Sequence, residues 1–91
     1  LKILNMRKID NGRSLVATFD VQFAPLTVRG MAIFRKADGQ MWISEPSESF
    51  QGRDGKTAYK KHVIITDEHV RQTIEHEAKT MFAELEGDHP F

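Results

Sequence analysis

The sequence predicts an α+β domain, a five-stranded antiparallel β-meander followed by one C-terminal α-helix, over residues 1–91. Two observations carry that prediction. Up to residue 66, short apolar stretches are separated by Asn-Gly, Pro and Asp-Gly turn signals; beyond it the apolar spacing changes to steps of three and four. The expected division is 1–66 for the meander, 67–86 for the helix and 87–91 for a tail. A chain of 91 residues supports one domain with one modest core.

The elements follow in order. "KILNMRKI" reads as a short first strand, and "DNGR", Asp10 to Arg13, as the tight hairpin turn after it. "SLVATFDVQF" places Leu15, Ala17, Phe19, Val21 and Phe23 on one face, with Ser14, Thr18, Asp20 and Gln22 on the other. That is the pattern of a half-buried strand, and Pro25 closes it. "LTVRGMAIFR" is a third strand, apolar on both faces: Val28, Ala32 and Phe34 against Met31 and Ile33. Asp38-Gly39 turns the chain into "MWISE", which Pro46 stops. An eleven-residue polar loop, "PSESFQGRDGK", leads to "TAYKKHVII" as the fifth strand. In the helix, Val70, Ile74, Ala78, Met81, Phe82 and Leu85 line one side. Thr66 or Asp67 caps its start, Glu75 and Lys79 form an i,i+4 pair, and Gly87 and Pro90 end it.

Composition excludes several classes. Cysteine is absent, so neither disulfides nor cysteine-ligated zinc hold the core. No apolar run is long enough for a membrane span, and a bacterial or phage cytoplasm is the expected location. "GRDGKT", Gly52 to Thr57, ends like a phosphate-binding loop, but only Arg53 and Asp54 separate Gly52 from Gly55, and Phe50 holds the first-glycine position. Its Lys56 opens a strand, whereas a phosphate loop opens a helix. The stretch is a turn.

The histidines do not form a metal set. His69 and His76 are seven apart on one helix, His62 lies on a strand and His89 in the tail. Glu75 and Glu77 point to different helix faces, as do Glu84 and Glu86, and Ser44, Ser47 and Ser49 have no legible His–Asp partners. No catalytic residue, metal or cofactor is expected.

From Leu26 to Met81 the chain resembles the stage V sporulation protein G (SpoVG) family. "LTVRGMAIFRKADGQMWISEPS" is similar to that family's strand–turn–strand ending in Pro-Ser. "FQGRDGKTAYKKHVI" is similar to its polar loop, Asp-Gly turn and last strand, and "TDEHVRQTIEHEAKTMF" to its C-terminal helix. The resemblance implies a small bacterial regulator of sporulation or septation that forms a homodimer and binds DNA or RNA, with no enzymatic activity.

The charges qualify that expectation. Thirteen basic residues balance thirteen acidic ones, so no bulk positive charge advertises a polyanion partner. The distribution is uneven: residues 1–66 hold eleven Lys/Arg against six Asp/Glu, or +5, and residues 67–91 hold two against seven, or −5. The resemblance implies DNA contact near the helix start, where Arg71 is the one base and Asp67 and Glu68 repel phosphate. The stronger cationic candidates are Arg53, Lys56, Lys60 and Lys61, interleaved with Phe50 and Tyr59, as a single-strand platform. The alternative is that Lys60 and Lys61 guard a sheet edge against wrong pairing, Phe50 anchors the loop and Tyr59 belongs to the core. The acidic helix is either solubilising surface or a docking face for a basic protein.

A dimer has its own physical motive. One helix covers one sheet face, and Met31, Ile33 and Trp42 are expected to leave an apolar patch on the other, suited to a second copy. The alternative is that the faces are reversed and these residues belong to the single core.

Overall fold

The computed structural model describes residues 1–10 and 12–87. The described residues form strands β1 (Lys2–Lys8), β2 (Leu15–Phe23), β3 (Leu26–Arg35), β4 (Met41–Ser44), β5 (Ser47–Gln51) and β6 (Thr57–Lys61), then helix α1 (Glu68–Gly87). The α+β class, the antiparallel strands and the C-terminal helix agree with the sequence. The strand count does not: there are six strands in two sheets, a β1-β2-β3-β4 meander and a separate β5-β6 hairpin. Asn11 of the expected Asp10–Arg13 turn lies outside the described residues, as do His89, Pro90 and the rest of the tail.

The hairpin occupies what the sequence presents as a polar loop. β5, "SESFQ", is exposed at every position and so carries no alternation to detect. Its order comes from backbone pairing with β6, from Ser47 opposite Lys61 to Gln51 opposite Thr57. "GRDGKT" is its turn: Gly52 N donates to Lys56 O at 2.8 Å, Gly55 N to Gly52 O at 3.0 Å, and Lys56 N to Asp54 Oδ1 at 3.0 Å. Gly55 sits at φ +79°, which a Cβ would strain.

Three irregularities shape the meander, and two of them overturn face assignments. Between Val28 and Met31, β3 has two residues where β2 has one, so the chain bulges at Arg29-Gly30. Gly30 takes φ +86° to make the bulge. The extra residue reverses the alternation, so Val28 joins Met31 and Ile33 on the core face while Ala32 and Phe34 face away. β1 bulges likewise at Asn5-Met6, with Asn5 at φ +56°. β2 carries an extra residue at Val16, which is buried, so Leu15, expected on the face of Ala17, pairs with Phe34 on the other face instead. The Asp20 carboxylate joins two of the bulges, accepting from Asn5 Nδ2 at 2.8 Å and from Gly30 N at 3.2 Å. Replacing Gly30 with Ala is expected to cost about 1–2 kcal/mol, the penalty of a left-handed non-glycine residue; urea unfolding measures it.

Helix α1 begins as its sequence dictates. Asp67 caps it, its Oδ1 accepting from Val70 N at 3.1 Å. Ile74, Ala78 and Phe82 are fully buried against the sheet, and Val70 and Met81 flank them, whereas Leu85 is largely exposed. Glu75 and Lys79 pair at 2.7 Å. No basic residue stands in the last helical turn, and the sheet supplies one instead. Arg35 on β3 grips Glu86 with Nη2–Oε2 at 2.9 Å and Nη1–Oε1 at 3.2 Å, and its guanidinium lies 5.4 Å from the Phe82 ring centre. The Glu86 hydrogen bond raises the Arg35 pKa above its ordinary value. A cation there also offsets the negative end of the helix dipole.

Candidate nucleic-acid interface

Register decides how the hairpin presents its side chains. Phe50, Ala58, Glu48 and Lys60 share one face, and Ser49, Tyr59 and Lys61 share the other. Arg53 and Lys56 project from the turn at the tip, both exposed. Tyr59 is 74% exposed and Phe50 is largely exposed too, so neither belongs to the core. Lys60 stands opposite Glu48, whose carboxylate lies 3.7 Å from His62 Nε2. The hairpin thus pairs Lys60 with the Phe50 ring on one face and presents the Tyr59 ring on the other, with Arg53 and Lys56 at the tip, on an element that projects from the main sheet. β6 has β5 on one side alone, so the edge that Lys60 and Lys61 can guard belongs to the two-stranded sheet and not to the four-stranded one.

Lys61 and Arg71 converge elsewhere, on a residue the sequence does not single out. Glu45 follows β4, and its side chain is 1% exposed. Arg71 Nη1 donates to its Oε1, Lys61 Nζ reaches its Oε2 at 3.2 Å, and Arg71 Nη2 donates to Ile43 O at 3.3 Å. Burial is the largest influence on the Glu45 carboxyl and pushes its pKa up. The hydrogen bonds from Arg71 and Lys61, with their attraction, outweigh it and hold the group below the usual carboxylate value. The cluster ties the end of β4, the end of β6 and the first turn of α1 together. A signal for it exists in "MWISE": Ile43 and Glu45 are two apart, so a strand that buries Ile43 turns the carboxylate toward the core, where it requires cations.

The expected dimer residues separate as well. Met31 and Ile33 are fully buried under the helix, because the Gly30 bulge brings them to the core face; they leave no patch for a second copy. Trp42 lies on the opposite face, 39% exposed. Its ring stacks on Phe34 at 5.4 Å between centres with 16° between planes, and Lys36 Nζ lies 5.7 Å from it. An exposed cation–π contact of that kind is worth about 0.5–1 kcal/mol.

Among the described residues no three His, Asp or Glu side chains cluster as a metal site, and no helix is long and apolar enough to cross a membrane. No protein-family model, characterised protein or solved structure matches this chain.

Proposed function

We propose that this chain is a non-enzymatic nucleic-acid-binding regulator of the SpoVG type, acting on DNA or RNA as a homodimer in a bacterial cytoplasm. The observation that supports it is the projecting hairpin, where Lys60 and exposed Phe50 share one face, exposed Tyr59 lies on the other, and Arg53 and Lys56 stand at the tip between them. Cations on phosphates position a strand, and a base stacked on an aromatic ring contributes about 1–3 kcal/mol. Lys61 and Arg71 support this surface by fixing the base of the hairpin to Glu45, and Lys61 adds charge on its solvent side. The acidic helix is less suited to docking a basic protein, since Glu75 and Glu86 are already paired with Lys79 and Arg35.

With Met31 and Ile33 buried, Trp42 stays exposed on the other sheet face, and a second apolar surface open to another copy is the groove of Leu26, Val63 and Ile64 between β3 and the start of α1. Arg29 and Asp67 both border that groove, so a two-fold pairing can set opposite charges against each other across it.

The test is a gel-shift titration with single- and double-stranded DNA and RNA at two salt concentrations. The Arg53→Glu/Lys56→Glu/Lys60→Glu variant leaves Glu45 and its partners intact, so a loss of binding reports the surface and not the fold. Binding is expected to fall by at least about tenfold, with a flatter salt dependence. Unchanged retention by that variant refutes the site. Light scattering of the same samples at micromolar concentration tests the pairing, and a monomer alone refutes the homodimer.

A further inference from the structure

A second cationic surface lies at the other end of β4 from the hairpin. There the β1–β2 and β3–β4 connections wall a cavity of about 720 Å³. Lys8, Arg13, Arg35 and Lys36 line it, facing the carboxylates of Asp10 and Glu86, and Trp42 forms part of its wall. Arg35 and Glu86 grip each other. Asp38, in the neighbouring turn, already accepts from Gln40 N at 2.9 Å. Counted with Asp38, the four cations outnumber the three carboxylates around the opening by one.

Trp42 gives the surface its second property. Phe34 holds the indole nearly parallel to its own ring, on the sheet face away from the helix. The pair therefore adds nothing to the helix-covered core. Lys36 covers the indole only through an exposed cation–π contact, which is weaker than a base stack. A nucleobase can replace the ammonium on the ring while that ammonium moves to the adjoining phosphate.

We propose that the Trp42 end of the sheet is a second nucleic-acid site, specific for single strands. One base stacks on Trp42, and the adjoining phosphate lies against Lys36. A duplex keeps its bases stacked inside and cannot offer one to the ring, so the site discriminates strandedness, not sequence. The inference stands independently of the hairpin: the two surfaces share no residue.

Trp42 is the one tryptophan of the chain, so its emission reports this site and no other. The intact protein is titrated at low salt with an oligothymidylate of about ten nucleotides. Saturable quenching is expected, with much weaker quenching by a duplex of the same length. Lys36→Glu should weaken the midpoint by about fivefold and lower the slope of log K against log salt by about 1. The hairpin variant Arg53→Glu/Lys56→Glu/Lys60→Glu should keep the quench. An absent quench alongside intact hairpin-dependent gel retardation overturns this site and leaves the hairpin reading standing. So does a quench that Lys36→Glu does not alter. Equal quenching by polyphosphate, which has no bases, overturns the stacking assignment.

Discussion

Arg71→Ala is expected to lower the unfolding free energy by about 3–5 kcal/mol, because it strands a buried carboxylate. Glu45 is almost wholly enclosed, and Arg71 gives it one hydrogen bond while holding Ile43 O with another. Lys61 alone, half in solvent, does not replace that fork. Urea unfolding at neutral pH measures the loss. Glu45→Leu combined with Arg71→Met removes both charges and should recover most of it, since apolar replacement of a buried pair is often close to neutral. The cluster also sets an acid limit. The folded Glu45 carboxyl lies below its ordinary value, so folding favours the ionised form. That stabilisation is complete above the unfolded glutamate value, about 4.3, and is lost as pH falls through the lower folded value. Glu45→Gln should remove this part of the acid limb. An unchanged pH profile in Glu45→Gln would show that the carboxylate contributes nothing to it.

Phe82→Ala should cost a similar amount, about 3–5 kcal/mol, through the cavity it opens. Phe82 is among the largest fully buried side chains, seated with Ile74 and Ala78 against the sheet. The variant also removes the ring beneath the Arg35 guanidinium, and with it part of the hold on Glu86. Amide exchange in the last two turns of α1 should therefore accelerate beyond the global change. Phe82→Leu keeps most of the volume and is expected to cost less than about 1.5 kcal/mol. Equal losses for the two variants would contradict a packing origin.

The parts of the structure legible in the sequence are those where burial writes a period. β2 alternates with Ala17, Phe19 and Val21 inward, and α1 repeats Ile74, Ala78 and Phe82 as their patterns place them, although the Val16 bulge turns Leu15 to the other face and Leu85 is exposed. The "GRDGKT" turn was equally legible, since its glycine spacing and the strand after it leave no room for a phosphate loop. β5 was not, because a strand exposed on both sides has no apolar face to give it away. The bulge at Arg29-Gly30 was hidden for another reason. One extra residue inverts every later side chain, and only the Gly itself hints at it, which is how Met31 and Ile33 exchange an outward reading for the core. For the hairpin, residue types were readable while roles were not. Lys60 and Lys61 look alike in sequence, yet one stands opposite Glu48 and the other closes on Glu45.

The bulges joined at Asp20 have a consequence for the shape of the sheet. A bulge bends its strand and sharpens the local twist, and here the strands on either side of β2 bend at the same level, Asn5 on β1 and Gly30 on β3 both bonded to Asp20 between them. Four strands span about 15 Å between outer axes, a little more than the 10–12 Å width of a helix with its side chains. A flat sheet would leave its margins uncovered by a lone helix. Bent into a trough, it lets α1 reach from β1 across to β4, so that one helix can roof the whole of it.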